Sequence, residues 1–165
     1  MLVRSGVPGA FTFMKGYLNR PEETARALRD GWLYTGDLAY RDDERYLYIA
    51  DRKKDMILSG GFNIYSKEVE SALISHDDVA DAAVVGVNDE MYGEAVAAFV
   101  EPEAGAKPSA DALITHCRAM IASYKKPKYV VFVDTLPRNA IGKVLKHELT
   151  GLAPEDLQIL MRNRS

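Results

Sequence analysis

Two closely spaced apolar runs near the middle of the chain set the strongest limit on its fold. Residues 81–87 (DAAVVGV) and 94–101 (EAVAAFVE) are rich in valine and alanine. Short runs of this composition are typical of buried strands. From about Tyr46 onward, further strand and helix patterns mix in a compact order around these two runs. This arrangement predicts one α+β domain.

The spacing of apolar residues predicts the other elements of that domain. Strands are expected at 46–50, 55–61 and 128–136, and helices at 67–76, 109–123 and from 142 to 149. A charged bend separates the first two of these strands. Ser109 can cap the second helix. The apolar stripe of that helix is expected to contain Leu113, Cys117, Met120 and Tyr124.

Residues 1–40 have a different character. A short helix is predicted at 21–30, because Pro21 suits the first helical position and Glu22 and Glu23 suit the positive end of a helix. Otherwise this stretch holds only weak strand patterns, too few to build a core of their own. It is therefore expected to be the end of a larger domain.

Bulk composition excludes several classes of protein. The chain has 165 residues, a formal net charge of −3 and a single cysteine, so no global basic field favours nucleic acid and no internal disulfide can form. No apolar run approaches the roughly 20 residues that cross a membrane, and no signal peptide is apparent. A cytoplasmic protein is expected. The three histidines, His76, His116 and His147, lack ligand spacing, and no metal site is predicted.

Three motifs can each carry chemistry, although each also has a purely structural explanation. In YTGDL, Asp37 can hold ribose hydroxyls or simply stabilise a turn. In residues 51–70 (DRKKDMILSGGFNIYSKEVE), the charged bend is typical of a solvated hairpin tip, and the paired glycines allow a bulge or the close approach of a ligand. In PRNAIGK, Lys143 follows Gly142 at an expected loop-to-helix junction, which can meet a phosphate. The last motif is not a Walker A loop, because Val144 stands where Ser or Thr is required.

The order and spacing of the motifs are more specific than any one of them. Residues 14–40 (MKGYLNRPEETARALRDGWLYTGDLAY), 51–70, 124–134 (YKKPKYVVFVD) and 137–143 (PRNAIGK) together resemble the adenylate-forming superfamily. That superfamily includes acyl-CoA synthetases, the adenylation domains of peptide synthetases and beetle luciferase. The combination of DRKKDMI with SGGFNIY looks most like fatty-acid and related carboxylic acid–CoA ligases, which form an acyl-adenylate from acid and ATP and then an acyl-CoA.

The resemblance also implies a domain organisation. Residues 1–50 would be the end of a large N-terminal adenylation domain, 51–55 a hinge, and 56–165 a C-terminal lid with a β-hairpin and a small mixed sheet flanked by helices. The sequence contains no Ser/Thr/Gly-rich phosphate loop and no acid pocket, so this chain alone is expected to be inactive. Its implied partners are the large domain, a small carboxylic acid, ATP and CoA, with the ligands of ATP-bound Mg²⁺ outside this chain.

The resemblance assigns roles to individual residues. Asp37 matches the aspartate that binds the ribose hydroxyls of ATP or AMP, and Arg52 matches an arginine that also contacts the ribose. Lys143 matches the lysine of the adenylation step, where its ammonium would stabilise charge on the phosphate oxygens.

The same resemblance assigns a second group of residues to domain rotation and to CoA binding. Lys54 matches the hinge position, where relatives usually have Asp or Lys. Ser59, Gly60 and Gly61 match the loop that lines the pantetheine tunnel during thioester formation.

One departure and two alternative functions accompany this interpretation. Arg45 stands where relatives commonly have glycine, which predicts a different turn type. The chain is also compatible with an aryl- or amino-acid-adenylating enzyme that uses a carrier protein. A non-catalytic binding module is disfavoured, because such a module has no need of Asp37, Arg52 and Lys143 together.

Overall fold

The computed structural model describes residues 1–3, 14–150 and 156–157. It divides the chain into two compact units, Met1–Lys54 and Asp55–Ser165. The stretch expected to be a hinge, residues 51–55, contains this boundary, and its role as a hinge stays a prediction.

The first unit consists of short elements. They are β1 (Leu2–Val3), α1 (Pro21–Ala27), β2 (Leu28–Arg29), β3 (Trp32–Tyr34), β4 (Asp37–Arg41) and β5 (Leu47–Arg52). Strands β1, β3 and β2 form a three-stranded sheet in that order, and β4 pairs antiparallel with β5. Among the described residues of this unit, only Asp51 is buried, in keeping with the expectation that residues 1–40 do not build a core of their own.

The second unit holds the predicted α+β domain. Its elements are β6 (Ile57–Ser59), β7 (Phe62–Ile64), α2 (Ser66–Ile74), β8 (Val79–Asp89), β9 (Gly93–Pro102), α3 (Ala110–Met120) and β10 (Tyr129–Phe132), with 3₁₀ turns at Ser123–Lys125 and Lys146–Glu148. A third 3₁₀ turn, Lys53–Asp55, lies at the boundary between the units. No helix within the described ranges is long and apolar enough to cross a membrane.

Strand β9 is the centre of a mixed five-stranded sheet. It pairs antiparallel with β8 along its length, parallel with β10 at residues 97–100, and antiparallel with β6 at Gly93. Strand β7 completes the sheet as the hairpin partner of β6. The predicted mixed sheet flanked by helices is confirmed.

Both faces of this sheet are covered, which explains why its central strands lack a polar face. On one face, Val84 and Val96 pack with Leu73 of α2 and Leu113 of α3. On the other face, residues of the same strands pack against Leu136, Leu149 and Leu157 of the C-terminal segment. Alternate residues of β8 and β9 therefore serve two separate clusters of the core.

The structure corrects the sequence-based interpretation of α3 and of residues 142–149. In α3, Ser109 caps the helix through Ala112 N–H, and Leu113 and Cys117 are buried. Met120 ends the helix, however, and both Met120 and Tyr124 are exposed. The helix expected at 142–149 is a hairpin-like turn followed by the 3₁₀ turn, because Leu145 N–H donates to Pro137 O and Val144 bridges to Arg138.

Candidate functional site

The two residues predicted to bind ribose lie opposite each other on neighbouring strands. Asp37 begins β4, Arg52 ends β5, and the two are register partners. Arg52 Nε lies 2.8 Å from Asp37 Oδ1, with the arginine side chain half exposed and the carboxylate largely covered. The Asp37 N–H donates to Thr35 Oγ1 at 3.1 Å. A carboxylate acceptor beside a guanidinium donor suits recognition of vicinal hydroxyls.

Ser59, Gly60 and Gly61 form the tight turn of the β6–β7 hairpin. Ser59 pairs with Phe62, and both glycines have positive φ, 57° and 84°. Two residues of positive φ between paired strands make a type I′ turn, which explains the glycine pair without a ligand. Gly60 N–H also donates to Tyr92 O at 2.9 Å. The backbone of this loop is therefore fixed on the neighbouring β8–β9 turn.

A pocket of about 1040 Å³ opens beside this glycine turn. Ser59 and Gly60 lie in its wall, together with aromatic and basic side chains. The aromatic and basic members are Phe62, Tyr92, Tyr124, Arg118, Lys126 and Lys128. The Phe62 and Tyr124 rings lie 4.7 Å apart. Such a wall suits a ligand that combines a planar base with phosphates.

One of the pocket cations is fixed by an ion pair. Lys128 Nζ contacts Asp89 Oδ2, whose side chain is almost fully covered. The hydrogen bond from Lys128 lowers the pKa of Asp89 below its usual range, and the same bond raises the pKa of Lys128. Asp89 Oδ1 also accepts from the N–H groups of Met91 and Tyr92. Asp89 therefore connects Lys128 to the turn that holds Gly60.

Lys143 lies on an exposed turn whose backbone is closed by hydrogen bonds. Asn139 N–H donates to Lys143 O, and Gly142 N–H donates to Asn139 O, each at 2.9 Å. Asn139 Oδ1 accepts from Lys143 N–H at 2.9 Å. Within the described part of the chain, the Lys143 ammonium forms no hydrogen bond or ion pair. A cation presented in this way on an ordered backbone is available to an anionic ligand.

The same turn occurs at the tip of the β4–β5 ribbon. There Asp42 N–H donates to Tyr46 O, Arg45 N–H donates to Asp42 O, and Asp42 Oδ1 accepts from Tyr46 N–H. Arg45 occupies the left-handed position that Gly142 fills in the other turn, with φ values of 74° and 80°. Arginine here adopts the left-handed conformation that glycine favours, and the change of turn type relative to glycine-containing relatives stays a prediction.

The structure shows where the predicted site residues lie and does not test their roles. Asp37 and Arg52 are together in the first unit, and Lys54 is its exposed last residue. Ser59 and Gly60 lie in the wall of the pocket in the second unit. Lys143 belongs to the same unit but does not line this pocket. The assigned roles remain predictions.

The histidines His76 and His116 and the cysteine Cys117 have surroundings that indicate packing rather than catalysis. The rings of His76 and His116 meet edge to face at 5.1 Å, although the two residues are distant in sequence. In the described ranges no three His, Cys, Asp or Glu side chains form a metal-binding group. Burial raises the pKa of Cys117 to about 11, which keeps the thiol protonated and unsuited to nucleophilic attack.

Sequence reasoning missed most of the pocket wall. No local pattern marks Tyr92 or Lys128, and the spacing of apolar residues predicts Tyr124 on the buried stripe of α3. The exposed aromatic after the helix, followed by two lysines and a proline, was the available signal. The local sequence does not show what these residues contact, because their partners in the pocket wall come from distant strands.

Comparison with known proteins finds relatives in both sequence and structure. Residues 68–143 match the model of the AMP-binding enzyme C-terminal domain. The chain is 47% identical over 142 residues to a 2-succinylbenzoate–CoA ligase of Geobacillus sp. (strain WCH70), covering 86% of this chain and 29% of the relative. It is 52% identical over 136 residues to a long-chain-fatty-acid–CoA ligase of Bacillus subtilis (strain 168), covering 82% of this chain and 24% of the relative.

A solved structure agrees with these relatives. The o-succinylbenzoate CoA synthetase of Bacillus subtilis, in complex with its acyl-adenylate intermediate OSB-AMP, superposes with a TM-score of 0.78 at 42% identity. The superposition covers 84% of this chain and 28% of that one. The chain thus spans less than a third of the length of the ligases that it matches.

Proposed function

We propose that this chain, which belongs to the adenylate-forming superfamily through its AMP-binding enzyme C-terminal domain, is the C-terminal part of an ATP-dependent carboxylic acid–CoA ligase. The observation that carries the proposal is the ammonium of Lys143, which extends from a hydrogen-bonded turn and has no partner within the described residues. Such a group can meet the anions of an adenylation reaction that takes place on a larger domain.

In the first half-reaction, the carboxylate oxygen of the acid attacks the α-phosphorus of ATP and pyrophosphate leaves. Both reactants are anionic, and charge on the phosphate oxygens must be stabilised in the transition state. Lys143 supplies a cation for that purpose, a contribution of about 3–4 kcal/mol if it resembles other fixed stabilisers of transition-state charge. Asp37 accepts hydrogen bonds from the ribose hydroxyls, and Arg52 donates beside it.

In the second half-reaction, the CoA thiol attacks the acyl carbon, the bond to AMP breaks, and acyl-CoA and AMP are released. The pocket beside Ser59 and Gly60 supports a role in holding CoA, since its aromatic rings can stack on adenine and its cations can pair with phosphates. Mg²⁺ would enter with ATP, and its protein ligands would lie outside this chain.

Between the two half-reactions the C-terminal lid would rotate relative to the large domain, and we propose that residues 51–55 are the hinge of this rotation. Lys53 and Lys54 are exposed there within a 3₁₀ turn at the boundary between the units. A few solvated residues of this kind can absorb the φ/ψ changes of a domain rotation. The rotation would exchange Lys143 for the glycine turn at the reacting centre.

The proposal is tested with an intact ligase that contains this chain and a panel of carboxylic acids. Acid-dependent exchange of pyrophosphate into ATP, followed by formation of acyl-CoA and AMP in equal amounts, is the expected result. This chain by itself should catalyse no exchange. Formation of ADP, or acid activation without use of CoA, would reject a CoA ligase, and the second outcome would favour transfer to a carrier protein.

A further inference from the structure

We infer that Arg138 is a positioning residue for Lys143, an inference that rests on the proposed role of Lys143 in adenylation. Arg138 Nη1 donates to the carbonyl oxygen of Gly142 at 3.0 Å. Its other terminal nitrogen, Nη2, contacts Asp81 Oδ2. One guanidinium therefore connects the turn that presents Lys143 to strand β8.

The acceptor on β8 is itself held in place. Asp81 lies near the start of the long strand, and its Oδ1 accepts from Ala82 N–H at 2.8 Å. Asp81 and Arg138 are only about one-third exposed. A guanidinium can fix two acceptors in one plane, which an ammonium at the end of a flexible chain cannot do equally well.

A second anchor lies on the other side of Lys143. Lys146 Nζ contacts Glu70 Oε1 at 2.6 Å and Ser66 Oγ at 2.7 Å, both on helix α2. Glu70 Oε1 in turn accepts from Val84 N–H on β8 at 2.9 Å. Both flanks of the turn are thus tied to β8, and Arg138 is the anchor that contacts the turn itself.

Positioning matters for this lysine because its side chain is long and otherwise unrestrained. Adenylation requires the ammonium at the phosphate oxygens when negative charge develops, and misplacement by about 1 Å can cost about 100-fold in rate. An exposed turn without its anchor samples a wider range of positions. We therefore expect Arg138 to affect kcat more than the binding of ATP.

The test compares Arg138→Met and Asp81→Ala in the intact ligase, because the two changes have opposite effects on local charge and the same effect on the anchor. If Arg138 positions the turn, each variant lowers kcat for acid-dependent pyrophosphate exchange by about 10- to 100-fold, and the double variant is no worse than either single one. KM for ATP and thioester formation from supplied acyl-adenylate should change less than about threefold. Arg138→Lys should restore part of the rate.

A structural measurement accompanies the kinetics. Hydrogen exchange of the segment 137–145 should be faster in both single variants. The control is Arg26→Met, which removes the exposed ion pair between Arg26 and Glu22 in α1 and should change neither the exchange of this segment nor the rate. An increased rate in Asp81→Ala would overturn the inference, since it would show that local charge governs the effect. A rate within about threefold of wild type in Arg138→Met would also overturn it.

The Lys143→Ala variant separates this inference from the proposed function. If Lys143→Ala abolishes pyrophosphate exchange and Arg138→Met does not slow it, only the positioning role is lost. If Lys143→Ala leaves exchange unchanged, the proposed role of Lys143 fails, and the positioning role fails with it.

Discussion

At the scale of single residues, two turns share three hydrogen bonds and differ in the residue that takes the left-handed conformation. An Asx residue, Asp42 or Asn139, closes each turn through its backbone and its side chain. The left-handed residue is Arg45 in one turn and Gly142 in the other. The sequence did not predict this likeness, because glycine is the usual signal for the conformation and arginine conceals it.

This comparison predicts opposite effects of two substitutions on stability. Gly142→Ala should lower the free energy of unfolding by about 1 kcal/mol, because a β-carbon there meets no atom within 4 Å and only the backbone conformation is strained. Arg45→Gly should relieve similar strain, offset in part by the greater entropy of glycine in the unfolded chain, and should raise the free energy of unfolding by up to about 1 kcal/mol.

Urea denaturation of the two variants and of wild type measures both effects. Arg26→Ala, a change at an exposed residue of α1 with helical backbone, serves as the control. Destabilisation by Arg45→Gly as large as that by Gly142→Ala would show that the arginine side chain, rather than the strain, dominates at that turn.

At the scale of secondary-structure elements, the buried strands and the Ser109 cap were predictable because local composition determines them. The structure of residues 142–149 was not predictable, because their sequence pattern is compatible with a helix and they form turns instead. Asn139 closes a turn that ends at Lys143, and Leu149 packs with Leu136 against the sheet. Tertiary contacts thus outweighed the local helical preference of this segment.

The turn between β8 and β9 gives a prediction about pH. Because Lys128 and two backbone N–H groups lower the pKa of Asp89 in the folded state, its ionised form stabilises the fold above the unfolded pKa of about 4. That contribution should disappear as the pH falls below about 4 and through the lower pKa of the folded state. The difference in unfolding free energy between wild type and Asp89→Asn should therefore be constant from about pH 5 to 8 and shrink in acid.

Denaturant titrations at several pH values follow that difference, and Asp77→Asn, at an exposed position, is a matched control. A gap between wild type and Asp89→Asn that stays the same down to pH 2 would contradict the pairing of Asp89 with Lys128. The raised pKa of Lys128 has the reverse sign, so its contribution should persist at neutral pH and be lost only in strong alkali.

At the scale of the whole molecule, the sequence predicted the individual motifs better than their partners. Asp37 and Arg52 belong to separate motifs of the sequence, and the structure shows them as cross-strand partners. The contact between Arg138 and Asp81 joins residues 57 positions apart, and no local pattern indicates it. Pairs of this kind depend on the path of the sheet, which a single sequence does not contain.

The proposed hinge predicts a selective defect in catalysis. Lys54→Pro fixes φ at residue 54 and disfavours the helical conformation at Lys53. In an intact ligase it should therefore slow thioester formation from supplied acyl-adenylate at least about 10-fold while pyrophosphate exchange continues. Lys54→Ala keeps the backbone free and should behave like wild type. An unimpaired second step in Lys54→Pro would remove residues 51–55 as the hinge.

The central claim is that Lys143 serves the adenylation step and not the thioester step. The most direct measurement is the ratio of the two half-reactions in an intact ligase carrying Lys143→Ala, with acid-dependent pyrophosphate exchange as one rate and thioester formation from supplied acyl-adenylate as the other. The account predicts that exchange falls by about 100- to 1000-fold while thioester formation stays within about threefold of wild type. Equal losses in both half-reactions would contradict it.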